Sequence, residues 1–418
     1  MGRSLQIVLL LALLPALALA KTWRVSMNGP LRSIQFAVNR AFPGDTILVE
    51  KGIYREKGLV IGKPLYLKGI GMPVLDGEHT YEIVSIKSDR VTLEGFDLRN
   101  SGFSGWNDIA GIKIYDAKNV VIRSNRLENT FFGIYCQNAA HCTIINNTLQ
   151  SNATDEIESG NGIHCWKCDS MQITGNTITR HRDGIYFEFV THSLIQGNNS
   201  FNNVRYGLHF MFSHNDTYKN NVFSNNGSGV SVMFSHGVNM LGNTFEGNQG
   251  GSAYGILMKE ITDSYAEANH FSNNTCGIYM EGTTRIMVTG NTFDGNGWAM
   301  KIQASCSDNT VTRNNFKGNT FDVATNGSLV LSRFSRNYWD KYEGYDLNRD
   351  GIGDVPYRPV SLYSMIAERN PTTMMLFRSF IVSLLDKAEK IIPSMTPADM
   401  KEDSPMMKPL ILGAWQTT

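Results

Sequence analysis

Gly207-Leu208-His209-Phe210-Met211-Phe212-Ser213-His214 is followed, 22 residues later, by Gly229-Val230-Ser231-Val232-Met233-Phe234-Ser235-His236. Within each copy apolar residues alternate after the glycine, the pattern of a short β-strand with one inward face. The spacing of the copies points to a repeat architecture. A glycine followed by an aliphatic residue extends the series outward, to Gly111, Gly133, Gly162 and Gly184 on one side and to Gly255 and Gly277 on the other; Ala299-Met300 continues it without the glycine. Most steps are 22 or 23 residues. The longer steps, from 133 to 162 and from 229 to 255, imply loops inserted at a fixed place in the unit.

Fourteen places after each glycine stands an asparagine: Asn125, Asn147, Asn176, Asn198, Asn221, Asn243, Asn269 and Asn291. These read as turn residues tolerant of left-handed φ, able to hydrogen-bond along the repeat axis when stacked. Two places further on come Leu127, Leu149, Ile178, Ser200, Phe223, Phe245, Phe271 and Phe293, an inward plug with one polar member. A coil of three short strands stacked ~4.8 Å above its neighbour buries such a column continuously. A propeller needs a period near ~40 residues and a leucine-rich repeat needs its leucines. The sequence therefore predicts an all-β chain folded as a right-handed parallel β-helix, a pectin-lyase-like solenoid, over residues 21–345. Leu31 to Ala41 has helical apolar spacing and predicts an N-terminal capping helix. Strands are expected around Thr46–Val49, Gly58–Ile61 and Leu65–Lys68.

Residues 1–20 read as a secretory signal: Arg3, an apolar stretch from Leu5 to Leu19, and Ala18-Leu19-Ala20 as a small-x-small cleavage site. The 38 basic and 38 acidic residues balance, which argues against a nucleic-acid partner. Six cysteines are too few to be the main staple of 418 residues. Cys136 and Cys165 fall in the inward column, as buried small hydrophobes or as a disulfide between adjacent rungs. The C-x-x-C at Cys165 and Cys168 lacks a second pair at zinc-finger spacing.

Strand alternation turns the second and fourth residues after each glycine outward. Register then places Met211 beside Met233 and His214 beside His236 on a wet surface, with His209 on the same face. Thioether with imidazole is a soft-to-borderline donor set that suits Cu(I) better than Zn²⁺, Ca²⁺ or Mg²⁺. Met and His beside Phe212 and Phe234 equally suit a protein-docking patch. Asp346, Asn348, Asp350 and Asp354 follow the first nine positions of a calcium loop with glycine at the sharp turn, although Tyr357 stands where a bidentate Glu belongs. The same residues also suit an Asx-rich turn without metal. Residues 346–418 carry this loop, a helix expected over Met374 to Ile392, and an extended tail. The helix presents Phe377, Phe380 and Leu384 on an apolar face, suited either to capping the solenoid or to docking on a membrane-embedded partner.

Taken together, the paired His/Met coils, Asn337-Tyr338-Trp339-Asp340, Asp350-Gly351-Ile352-Gly353-Asp354-Val355-Pro356-Tyr357-Arg358-Pro359 and the tail ending in Pro405-Met406-Met407 resemble the NosD family of the nitrous oxide reductase system, over essentially all of the mature chain. The resemblance implies a periplasmic, non-catalytic component of a complex with an ABC transporter permease and its ATPase. It would receive transient copper from a copper chaperone lipoprotein and help place it in nitrous oxide reductase, associating with the membrane through these partners. It fixes no ligands residue by residue; His209, Met211, His214, Met233 and His236 remain candidates from register. The rival class is an exported polysaccharide lyase or uronic-acid C5-epimerase of the β-helix type. Its base, acid and charge-neutralising group would come from His181, Arg182, Asp183, Glu188 and Arg205.

Overall fold

A computed structural model describes residues 20–104, 107–157, 159–327, 331–377, 379–391, 396–397 and 400–411. The export signal expected over residues 1–20 therefore lies, but for its last residue, outside the described part. No helix among the described residues is long and apolar enough to cross a membrane.

The chain winds as a right-handed parallel β-helix whose coils each contribute to three parallel sheets. The sheet begun by Leu59–Ile61 carries the Gly-aliphatic strands and ends at Phe321–Ala324; we call it the repeat sheet. From it each coil passes to the sheet running from Thr22–Val25 to Leu331–Ser335, then to the sheet running from Ile53–Tyr54 to Tyr338–Trp339. Every ladder pairs a strand with the strand one coil on, in parallel register.

The core follows the predicted columns. Phe223, Phe245, Phe271, Phe293, Phe316 and Trp339 stack at centroid distances of 5.5, 4.8, 4.8, 4.8 and 4.0 Å. The polar member, Ser200, donates to the Gly207 carbonyl at 2.8 Å, so its burial leaves the hydroxyl satisfied. The recurrent glycine is a packing requirement: a Cβ on Gly207 would lie 2.7 Å from the Gly229 carbonyl oxygen and 2.8 Å from the Phe223 ring.

The asparagine column is a ladder, but its left-handed turn sits elsewhere than expected. Positive φ belongs to the residue just before each asparagine, such as Ser124, Asn146, Gly175, Gly197, Asn220 and Gly242. That turn swings the asparagine side chain inward, where Asn125, Asn147, Asn176, Asn198, Asn221, Asn243, Asn269, Asn291, Asn314 and Asn337 stack. In each step one Oδ1 accepts both the backbone N–H and the Nδ2 of the asparagine one coil earlier, as Asn243 does from Asn221 at 3.0 and 2.9 Å. Five residues along runs a second ladder that the sequence reading missed, Asn203, Asn226, Asn248, Asn274, Asn296 and Asn319.

At the N-terminal end the capping helix spans Ile34–Arg40 and buries Ile34, Ala37 and Val38. Its first amides donate to the Glu56 carboxylate and to the Ser33 hydroxyl, which replaces missing helix partners. At the other end, Glu402 from the tail takes the next place in the asparagine ladder. It accepts the Asn337 N–H at 2.7 Å, Asn337 Nδ2 at 3.0 Å and the Trp339 indole at 2.8 Å. The tail is held there by bridges from Met406 to Tyr338 and from Glu402 to Tyr357. The expected helix over Met374–Ile392 is instead a 3₁₀ turn, Pro371–Leu376, followed by an α-helix, Phe380–Ile391. A further helix, Leu362–Arg369, precedes them with Ser361 as its cap. Pro371, which has no N–H to extend the preceding helix, follows its C-cap Asn370.

Burial pushes Glu402 up to about 7, against the opposing pull of its three donors. A carboxyl raised above its unfolded value holds its proton more tightly when folded. Stability from this group is thus fullest below its ordinary range near 4.5 and declines as pH rises toward 7. Glu402→Gln should be less stable than wild type at pH 5, with the gap in thermal midpoint narrowing toward pH 8; a gap constant across that range would contradict the assignment.

Candidate functional site at the Met-Phe-His corner

Each coil leaves the repeat sheet through a corner residue with left-handed φ. The column reads Asp116, Asn138, Lys167, Phe189, Phe212, Phe234 and Glu260, all between 48° and 55°. Asp and Asn adopt this conformation readily, whereas phenylalanine pays roughly 1–2 kcal/mol for it. Three successive phenylalanines nonetheless occupy it. Their rings stack at 5.4 and 5.1 Å, with interplanar angles of 10° and 16°, and Phe212 and Phe234 stay 37% and 38% exposed. Phe189 was not singled out from the sequence; its place in the corner column was the available signal.

Met211 and Met233 are direct register partners, outward and partly exposed, flanked along the axis by Glu188 and Lys259. On the other side of the corner His214 and His236 stack at 4.1 Å and 8°. The His236 N–H donates to His214 Nδ1 at 3.2 Å, which puts the proton of a neutral His214 on Nε2. Face-to-face rings send their lone pairs out in parallel, so sharing one ion requires a ring to turn. Burial, followed by the neighbouring His236, holds the His214 pKa below its ordinary value. Among the described residues no three His, Cys, Asp or Glu side chains converge on a point that could hold a metal ion. A copper centre here would therefore draw on thioether sulfur.

His209 sits apart from this exposed edge. The expectation that its column is a wet surface fails: Lys113, Tyr135, His164 and His209 are all buried. Rings stack up the column, with Tyr135 to His164 at 4.4 Å, His164 to Tyr186 at 4.7 Å and Tyr186 to His209 at 4.9 Å. Phe132 closes edge-on over Tyr135 and His164. His209 also packs on Tyr206 and places Nδ1 3.7 Å from the Asp183 carboxylate.

Asp183 is the centre of that buried group. Arg205 grips it bidentately at 2.9 and 2.6 Å, and against the upward push of burial these hydrogen bonds hold its carboxyl below the usual range. Arg182 stands 4.0 Å from Asp183 and donates to Asn161. His181 faces the interior instead, where burial pushes its pKa down to about 3. Glu188 belongs to the methionine column. Of the five residues named for sugar chemistry, only Arg182, Asp183 and Arg205 converge, and the Arg205 guanidinium is already committed to Asp183.

The aspartate loop is brought together, with its oxygens directed to its own backbone. Asp346 accepts the amides of Asp350 and Gly351, Asn348 accepts that of Asp350, Asp350 that of Ile352, and Asp354 that of Leu347. On the terminal helix Val382 and Leu385 pack toward Phe321 and Tyr363, whereas Phe380 and Leu384 remain 81% and 56% exposed. Phe377 lies over Tyr363 and Phe321.

Comparison with known proteins adds identity to this geometry. Residues 151–349, which include the whole corner, match the family described as periplasmic copper-binding protein (NosD). A Pseudomonas aeruginosa protein described as "Probable ABC transporter binding protein NosD" is 27% identical over 372 residues, covering 84% of this chain and 85% of the relative. Among solved structures, a Yersinia enterocolitica family 28 exopolygalacturonase matches with a TM-score of 0.57 at 10% identity, covering 76% of this chain and 79% of its own. The A-module of the Azotobacter vinelandii mannuronan C-5 epimerase AlgE4 matches at 0.51 and 16%, covering 72% and 87%. At such identities these two speak for the solenoid alone. Over residues 151–349 the chain is thus similar to the NosD family of periplasmic copper-binding proteins, and over most of its length to a relative that carries that name.

Proposed function

We infer that this chain is a non-catalytic maturation factor that holds Cu(I) in passing while docking a copper chaperone lipoprotein and nitrous oxide reductase on an ABC transporter. The observation that carries this reading is the duplicated corner: two methionines and two histidines on adjacent rungs, on either side of an exposed phenylalanine stack. Sulfur and imidazole together favour Cu(I) over hard cations. Partly exposed donors on an outer edge suit a cargo that arrives from one partner and leaves to another. Strained, stacked phenylalanines beside them supply a rigid apolar contact for a soluble partner. The exposed face of Phe380 and Leu384, at the far end of the solenoid, suits the permease. ATP hydrolysis stays with the transporter's ATPase.

Met211→Ala/Met233→Ala should lower Cu(I) affinity at least about tenfold, near 1.4 kcal/mol, in titrations against a competing chelator. Equal affinity would remove the thioethers from the copper path. Phe380→Asp/Leu384→Asp, both changes at exposed positions, should abolish co-purification with the permease and leave the Cu(I) titration unchanged. Undiminished recovery would place the transporter contact elsewhere. The rival sugar chemistry keeps one supporting observation, the convergence of Arg182, Asp183 and Arg205. Release of unsaturated uronate from alginate or pectate by the purified protein would establish it in place of the copper reading.

A further inference from the structure

All six cysteines are free thiols and buried. Three of them share one corner of the core. Cys165 is the last inward residue of its strand in the repeat sheet, Trp166 turns outward, Lys167 takes the left-handed corner at φ 52°, and Cys168 turns back in. Cys136 is the register partner of Cys165 one coil below. In the coils on either side, the two positions that flank the corner are Cys136 with Ala139 and Phe187 with Val190. Only this coil places thiols at both.

We propose that Cys165 and Cys168 are the site of an intramolecular disulfide that closes this corner in the exported protein. Geometry selects this pair over Cys136 with Cys165. Side chains directly opposed on parallel strands point the same way, so their Cβ atoms keep the rung spacing of ~4.8 Å, beyond the ~3.5–4.5 Å that a disulfide spans. Across a corner, two inward side chains converge on the same part of the core. The Cys168 thiol already points back along this corner, toward the Cys136 and Trp166 carbonyls at 3.4 Å each. A hydrogen bond from Cys165 favours the Cys168 thiolate and draws its pKa down, whereas burial pushes Cys165 up.

The oxidant is the disulfide of a dithiol oxidase, the class of electron acceptor that operates in oxidising exported compartments. The thiolate of one of the two cysteines attacks one acceptor sulfur, forming a mixed disulfide and releasing the other sulfur as thiolate. The other cysteine gives up its proton and displaces the acceptor from the first. Two protons and two electrons leave this chain, and the acceptor departs as a dithiol. Both sulfurs are shut into the folded core, so exchange takes place while the coil is still forming. The bridge then fixes the Lys167 turn directly beneath Phe189, the first ring of the exposed phenylalanine stack.

The test is the thiol state of the full chain isolated from the exported compartment, quenched in acid and alkylated in denaturant with and without prior reduction. Four cysteines should alkylate before reduction and six after it. Cleavage after Glu158, Lys167 and Arg180 separates Cys165, in peptide 159–167, from Cys168, in peptide 168–180. The expected product joins these two peptides until reductant is added. Alkylation of both residues without reduction overturns the proposal, and so does a link from peptide 159–167 to the Cys136-bearing peptide 129–156.

Discussion

The register of one coil on the next rests on buried amides that have no other partners. From Asn147 onward each asparagine of the first ladder spends its Oδ1 on two donors from the coil before and its Nδ2 on a backbone carbonyl as well, as Asn221 does to Ile195. A buried polar group left without a partner costs roughly 1–3 kcal/mol, and a slip of one residue would strand several in every coil. Slippage would also turn the phenylalanine plug outward, because side chains alternate with period two. Hydrogen bonding and apolar packing therefore select the same alignment. Glu402 shows how strict the ladder is: where the last coil leaves asparagine donors facing the end of the solenoid, a carboxylate from 65 residues further on fills the position.

Once register is fixed, the outer columns are fixed with it, and function can be written across coils. Met211 and Met233 become neighbours, as do His214 and His236, although 22 residues separate each pair along the chain. The corners are where this is used. A strand face presents side chains at right angles to the sheet, whereas a left-handed corner swings one residue clear of both adjoining sheets. Placing phenylalanine there is unfavourable for the backbone and is repeated in three successive coils, offset in part by ring stacking. This sustained local cost, beside the methionine and histidine pairs, is the feature on which the proposed contact surface rests.

The repeat sheet also shows how a β-helix loses an outer face to packing. Tyr135, His164, Tyr186 and His209 point away from the core, yet they stack on one another, and Phe132 closes over Tyr135 and His164. Beside this layer the buried Asp183 is paired with the partly exposed Arg205. Removing the arginine would leave a buried carboxylate without its partner, which is far costlier than keeping the pair. Its place beside His209 accordingly reads as scaffold more readily than as acid–base machinery, in spite of the enzymes that share the solenoid.

Much of this was legible in the sequence because a solenoid converts linear period into lateral contact: the glycine spacing, the asparagine column and the aromatic plug determined the coils, their register and the pairing of Met211 with Met233. The left-handed residue ahead of each asparagine was harder to see, since any of Ser, Asn, Gly or Ala fills that place. Burial of His209 was beyond the pattern as well. Alternation gives the direction in which a side chain points, and says nothing of which rings and loops will fold over it. Likewise the face-to-face setting of His214 and His236, the bidentate grip of Arg205 on Asp183 and the capture of Asn337 by Glu402 depend on side-chain rotamers and on segments far apart in the chain. Periodicity fixes position along and around the axis; only tertiary packing decides exposure, orientation and partner.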